Sequence, residues 1–294
     1  MTNFFAIAAK TQAQPTPPLF PQTFSTATTA FHLNVNADTS RASIEEISIQ
    51  FSIPDLLPAL RDFFSHYLCD QQSRTIAGRR GPLWNASAPF EDVKVWHSIR
   101  VQTKGGYSST PPPPDKLFAS PPSDEWPTGR CDTAIFSIDA EGGPARPPPG
   151  LGGKLPLSPK VCLTLTEAVG FFVGQIRAVF HPIWNIPTKH PLYLVYVQRF
   201  DIVPQMHLPR GGRLAPDPVH GMYVLRRARR SDGSPMGAIV PLYHLCMPIH
   251  LIPQFGGKAD PHLTPQTSFD NSHLFFLNHY FDKEDFLFFR ESLF

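Results

Sequence analysis

Thirty-four prolines are spread through 294 residues, and no other feature so narrows what this chain can become. Proline has no amide hydrogen, holds φ near about −65°, and is excluded from helix interiors and central strands. Long regular elements are therefore expected to be few, with Pro/Gly turns dividing short strands. Enough apolar residue remains for a core, 41%, and 24 of the aromatic side chains are Phe, which predicts an aromatic-rich interior. The length suits one large domain or two small ones.

Residues 1 to 30, rich in Thr, Gln, Pro and Ala, read as a flexible lead-in. Ser43 and Glu46 stand at capping-box spacing and predict a helix over 43–51, with Ile44, Ile47 and Phe51 on one face. A second helix, over 55–68, follows Pro54 and carries an apolar stripe of Leu57, Leu60, Phe64 and Leu68. Together these make a small helical subregion over 31–70. A β-rich domain is predicted over 93–289. Its first strand, 93–102, alternates Val93, Val95, Ile99 and Val101 and leaves Trp96 and Arg100 on the other face. Proline-rich loops are expected at 111–122, opening on Pro111 to Pro114, and at 141–160. Further strands are read at 133–138, 171–181, 192–200, 222–228, 238–242 and 246–252. Phe172, Ile176, Ala178 and Phe180 share one side of the second of these, and 192–200 is apolar enough to be central. The end reads as an extended segment from 269, then a short helix near Asp282. The fold class that follows is mainly β (α+β), a small bent-sheet or barrel-like domain.

Motifs of catalysis are absent: no Walker loop, no G-x-S-x-G, no H-E-x-x-H. Cys69, Cys131, Cys162 and Cys246 are dispersed, without the C-x-x-C pairs of a zinc site. His244, Cys246 and His250 form the one close His/Cys group, but an extended chain holds 244 and 250 too far apart for one ion. No metal and no cofactor are expected. Asp132, Asp139 and Asp201 would have to converge to serve a metal-dependent nuclease, and they read instead as solvated or turn-capping residues. Net charge is only +2, too mild to announce a nucleic-acid partner. Locally, though, seven arginines stand against two aspartates between 199 and 230. Arginine's planar fork suits phosphate. Arg226, Arg227, Arg229, Arg230 and Arg213 are therefore candidate backbone contacts, with Trp96 and Arg100 as a candidate stacking pair. A solvated hairpin, and a Trp packed beneath a loop, are the ordinary readings of the same residues. No apolar run is long enough to cross a bilayer and the first ten residues lack a leader pattern, so no membrane partner and an intracellular location are expected.

Several blocks resemble, in order, one family. They are Gln175-Ile-Arg-Ala-Val-Phe-His-Pro182, Leu194-Val-Tyr-Val-Gln-Arg-Phe200, Gly221-Met-Tyr-Val-Leu-Arg-Arg-Ala228 and Ile239-Val-Pro-Leu242. Upstream, Leu60-Arg-Asp-Phe63, Val95-Trp-His-Ser-Ile-Arg-Val-Gln102 and Ser123-Asp-Glu-Trp-Pro-Thr-Gly-Arg130 match as well. The family is an uncharacterised C-terminal domain of proteins encoded by basidiomycete Plavaka-like transposons, in the Kyakuja-Dileera-Zisupton group. The strand order also faintly resembles the bromo-adjacent homology fold. The resemblance implies a noncatalytic accessory or remnant domain of a transposase-like protein, nuclear, binding DNA or a protein partner. The alternatives are a metal-dependent nuclease and a scaffold without ligand. Oligomeric state is left open.

Overall fold

Residues 171–183 and 194–202 are apolar at most positions, and these two neighbouring strands form the spine of the molecule. The computed structural model describes residues 2–14, 21–67, 90–104, 111–137, 171–183, 193–203, 216–230, 233–255 and 263–281, the side chains of 65–67 excepted. The chain begins with α1 (Phe4–Gln12), β1 (Thr23–Ser25), β2 (Thr29–His32), β3 (Thr39–Ser43), α2 (Ile44–Gln50) and α3 (Leu56–Tyr67). Next come β4 (Asp92–Trp96), β5 (Ser98–Thr103), β6 (Asp115–Ser120), β7 (Arg130–Cys131), β8 (Thr133–Ser137), β9 (Phe171–Ile183) and β10 (Leu194–Ile202). Last are β11 (Val224–Arg227), β12 (Gly237–Pro241), β13 (Leu245–Ile249), β14 (Leu251–Pro253), α4 (Ser268–Asn271) and β15 (Leu274–Leu277).

Among the described residues two antiparallel sheets form. The smaller has the order β1-β2-β5-β6-β7, and the larger runs β13-β8-β9-β10-β11-β15-β14. The larger sheet branches. One edge of β9 is shared by β8 and β4, and one edge of β10 is shared by β12 and β11. Its outermost strands, β13 and β14, do not pair with each other, so the sheet is bent and not closed. The expected mainly-β, α+β class is the one observed. No helix among the described residues is long and apolar enough to cross a membrane.

The two sheets are joined by a corner. The stretch predicted as one strand over 93–102 breaks at His97: β4 pairs within the larger sheet and β5 within the smaller. The Asp38 carboxylate accepts the His97 amide at 2.7 Å, and the His97 carbonyl accepts from Ala119 at 2.8 Å. Alternation therefore changes phase, and Trp96 is buried beside Val95. Its indole N–H donates to the Asn34 carbonyl at 3.0 Å. Trp96 and Arg100 do not share a face.

Three apolar clusters hold the layers together. Phe31, Ile99, Leu117, Phe136, Phe172 and Val197 pack between the sheets. On the opposite face of the larger sheet, Ile47, Phe51, Leu60 and Phe64 of the helical segment cover Phe180 and Leu194. Farther along that face, Phe171, Val173, Phe200, Leu225 and Phe275 form the third cluster. The predicted capping box is present: the Ser43 hydroxyl accepts from the Glu46 amide and the Glu46 carboxylate accepts from the Ser43 amide. Pro58 falls in the first turn of α3, where a missing amide hydrogen costs nothing.

Four expectations differ from the structure. The supposed lead-in carries α1, β1 and the start of β2. Asn3 caps α1, Phe4 stacks on His32 at 4.8 Å, and the Gln102 side chain accepts the Phe4 amide at 2.8 Å. These are tertiary contacts, invisible to local composition. The segment 31–70 is not helical alone, since β3 joins the larger sheet through β4. The loop predicted over 111–122 contains β6, because Leu117 and Ala119 alternate into the core beyond the prolines. Finally, Phe172 and Ile176 do not share a side with Ala178 and Phe180. A β-bulge intervenes: Tyr196 pairs with Ala178 and Val197 with Ile176, leaving Arg177 as the extra residue. The 141–160 loop and the helix near Asp282 lie outside the described residues.

His181 of β9 is 8% exposed and meets the Tyr193 ring edge-on at 5.3 Å. Burial, and then the nearby Lys94 charge, push its imidazole down to about 4 from 6.5. The folded protein thus keeps His181 neutral where the unfolded chain binds a proton. This part of the stability is complete above pH 6.5 and is lost as pH falls toward 4. Denaturant melts across that window should show falling stability with acid, and a shallower fall in His181→Gln. The fall should not vanish, because burial also lowers His32 and His244. An unchanged slope in the variant would assign the acid sensitivity elsewhere.

Candidate functional site

A polar stripe crosses the outer face of the larger sheet between two apolar clusters. Along β10, Leu194 and Tyr196 belong to the helix-side core, and Phe200 and Ile202 to the third cluster. Gln198 stands between them. Gln175 and Arg177 of β9 and Arg227 of β11 continue the stripe. Arg227 is mostly buried. One guanidinium nitrogen donates to the Gln175 and Gln198 side-chain oxygens at 2.7 and 3.0 Å. The other donates to the Phe269 carbonyl at 3.1 Å and to Asp270 Oδ1 at 3.2 Å. Phe200, Phe269 and Phe275 surround the guanidinium with ring centroids 5.1 to 5.5 Å away. Burial pulls its pKa down to about 10, against the pull of Asp270, and it stays charged at neutral pH. Thr128 donates to the second Asp270 oxygen.

A second carboxylate closes the other end of the stripe. Asp55, at the start of α3, accepts from the Tyr196 hydroxyl, from the Gly237 amide at 3.2 Å, and from Arg230 at 3.0 Å. Burial and the Asp55 hydrogen bond raise the Tyr196 phenol. Position 237 admits only glycine, since a Cβ there would fall on that phenol. Between the two carboxylates lies a cleft of about 320 Å³. Its apolar walls are Ile53, Pro54, Pro122, Pro127 and Pro235, and Arg177 lies in its floor.

The four clustered arginines are thus divided. Arg227 and Arg230 point inward to carboxylates, while Arg226 and Arg229 are exposed. Arg229 donates to the Gly233 carbonyl at 2.8 Å and braces its own turn. Strand alternation from Arg226 to Arg227 separates the first pair, since successive side chains leave opposite faces. Arg213 lies outside the described residues.

Arg100 has different company from that expected. The outward row of the smaller sheet runs His32, Arg100, Lys116 across β2, β5 and β6. Ile99, Val101, Leu117 and Ala119 point the other way, into the core. Both Arg100 and Lys116 are exposed. Beside them Phe118 carries two cations: the Arg130 guanidinium 3.6 Å and the Lys116 ammonium 4.6 Å from its ring centre. Arg130 also reaches Trp126 at 5.4 Å. Among the described residues no carboxylate lies at ion-pair distance from Arg100, Lys116 or Arg130. The Arg130 charge is felt by Asp132, whose carboxyl is raised by burial against that pull. The Arg100 charge adds to burial in lowering His32, which is therefore neutral at pH 7. Lys116 and Phe118 went unnoticed in the sequence, and Trp126 and Arg130 stood out only as part of a family block, because only strand pairing assembles the four.

The other candidate groups are dispersed. His244 Nδ1 meets the Ser137 carbonyl at 2.9 Å, whereas His250 stacks on Phe281 at 4.8 Å and meets Asn278 at 3.1 Å. Burial pushes the Cys246 thiol up to about 12 and that of Cys131 up to about 11, which leaves both poor nucleophiles. Asp132 accepts from the Phe118 amide at 2.8 Å, and Asp201 stands opposite Arg226 between β10 and β11. Among the described residues no three His, Cys, Asp or Glu side chains gather. Cys69, Cys162 and Asp139 lie outside them.

The fold and site are those of a mainly-β domain with a buried arginine–carboxylate stripe and a separate cationic sheet face. The chain belongs to the family described as a domain of unknown function, DUF6830, which matches residues 5–155. That span contains both helices of the site's helical wall and the whole smaller sheet. No curated protein and no solved structure matches the chain.

The inward and outward arginines should separate in stability measurements. Arg227→Met leaves the mostly buried Asp270 with its Thr128 hydrogen bond and a 3.9 Å approach from Arg177, and should cost about 3 kcal/mol, the lower end for a broken buried pair. Arg229→Met should stay within about 0.5 kcal/mol of the parent. Chemical denaturation of the two variants checks this, and equal stabilities would contradict the division.

Proposed function

We propose that this chain is a noncatalytic accessory domain of a transposase-like protein, acting in the nucleus by holding the phosphate backbone of DNA. The observation that carries the proposal is the Arg100–Lys116–Arg130 face. Three exposed cations lie on one sheet surface with no paired carboxylate among the described residues, and a ring holds two of them in place. Phosphate recognition needs a cation whose donors are free at its edge, and stacking on Phe118 and Trp126 leaves the rim of the Arg130 guanidinium available. A three-stranded platform keeps the spacing of such contacts fixed at little entropic cost. Arg226 and Arg229 supply further cations on the β11–β12 hairpin. The transposon setting rests on the order of the sequence blocks quoted above.

Backbone contact releases counterions, so affinity falls with salt at about 0.9 log unit per log unit of salt for each phosphate held. It also varies little with sequence. The combined variant Arg100→Gln, Lys116→Gln, Arg130→Gln should weaken binding to every short duplex tried. It should also flatten the log–log salt slope by about three, while Arg226→Gln, Arg229→Gln flattens it by about two. Fluorescence anisotropy in a salt titration reads both. Parent protein that ignores duplex DNA at low salt would favour a scaffold without ligand, and a triple variant that binds like the parent would remove the sheet face from the contact.

A further inference from the structure

We propose that the cleft over the bulge in β9 is a receptor for a single oxyanion, a carboxylate or a phosphate monoester, attached to an apolar body. Arg177 is the recognising group. Arg227, Asp55 and Asp270 have the partners given above, and Arg230, a third exposed, holds Asp55 at 3.0 Å and can turn its other donors to solvent. Arg177 is less well supplied. Its side chain is only 11% exposed, yet among the described residues its one hydrogen bond is a 3.3 Å contact from Nη2 to the Phe51 carbonyl. Its Nη1 is 3.9 Å from Asp270 Oδ1, beyond hydrogen-bonding distance. A guanidinium has five N–H donors, and the Arg177 side chain lines the cleft.

Charge tells the same story. The stripe holds three guanidinium groups, Arg177, Arg227 and Arg230, against two carboxylates, Asp55 and Asp270. Among the described residues the stripe therefore carries one positive charge in excess, in a half-open cleft, with Arg177 sharing Asp270 at 3.9 Å with Arg227. An anion joining it would offset the cost of partly burying that charge. Geometry adds a third strand. Arg177 is the extra residue of the bulge, the device by which a strand re-aims one side chain without disturbing the rest of its pairing. Facing it are the five apolar wall residues, four of them prolines. The volume of about 320 Å³ is at the lower end of the range for small-molecule sites, so the anion comes with a body no larger than one aromatic ring. The cleft lies on the face of the larger sheet opposite the smaller sheet, and it borders the duplex contact through Pro122, Pro127 and Thr128 of the β6–β7 loop, which also carries Trp126.

Benzoate and phenyl phosphate are suitable probes, with benzamide as the neutral control and inorganic phosphate as the anion without a body. Binding is read by isothermal calorimetry on the full chain and by the rise in melting temperature that a ligand of the folded state produces. One or both aromatic anions should bind saturably, more tightly than inorganic phosphate, and benzamide should not bind. Which anion binds tighter separates a carboxylate ligand from a phosphate ester. Arg177→Met should lower affinity about tenfold or more, the scale of one charge-assisted hydrogen bond, and Arg177→Lys should recover part of it. Should Arg177→Met fail to fold, Pro54→Trp at the exposed rim fills the cleft and should abolish binding. Arg229→Gln, outside the cleft, should bind as the parent does. Anion binding equal in the parent and the Arg177 or Pro54 variants would overturn the proposal. So would benzamide binding as tightly as benzoate, or no saturable binding of either aromatic anion.

Discussion

The Arg227 guanidinium is the interaction on which the rest of this structure depends. It donates to two glutamines on neighbouring strands, to one backbone carbonyl and to one carboxylate, and three phenylalanine rings enclose it. A charge in that position is tolerable only because nearly every donor has an acceptor. By satisfying them it ties β9, β10 and β11 to the α4 segment, which carries Phe269 and Asp270. The third apolar cluster forms around this tie, and through Thr128 the tie reaches the loop that leads into the smaller sheet.

Asp55 plays the corresponding part at the other end. It collects Tyr196, Arg230 and the Gly237 amide, so the helical segment is bound to the sheet by directed contacts as well as by apolar burial. Apolar contact alone would leave α3 free to slide, because burial is nondirectional. Two carboxylates 215 positions apart in the sequence thus frame one cleft, and a bulge between them turns a third arginine into it. The hairpin that carries four arginines is ordered from within by two of them, which leaves the outward pair presented on a fixed frame.

Legibility in the sequence followed the range of the forces involved. The capping box at Ser43 and Glu46 and the helix after Pro54 are local, and both were readable. So were the apolar strands 171–183 and 194–202, where nearly every side chain is buried. The failures share a cause. Helix α1 is ordered by Phe4 on His32 and by the Gln102 amide group, about a hundred residues away. Strand β6 carries a clear Leu117/Ala119 alternation, but four prolines beside it masked the signal. Arginines 226, 227, 229 and 230 form one cluster in sequence, yet strand alternation and two distant aspartates divide them. Arg100 was singled out for the wrong neighbour, since a bend at His97 turned Trp96 inward and Arg100 stands opposite Lys116 instead.

By itself the sequence determined the mainly-β class, the two helices, the aromatic core and the local excess of arginine. Those follow from backbone preference, hydrophobic alternation and covalent neighbours, all of which act over a few residues. Only the tertiary structure decided which arginines face solvent and which hold carboxylates, where the sheet bulges, and which single cations meet on one face. These outcomes depend on strand register and on pairings across as many as two hundred residues. A one-residue change of register exchanges the inside and the outside of every side chain in a strand.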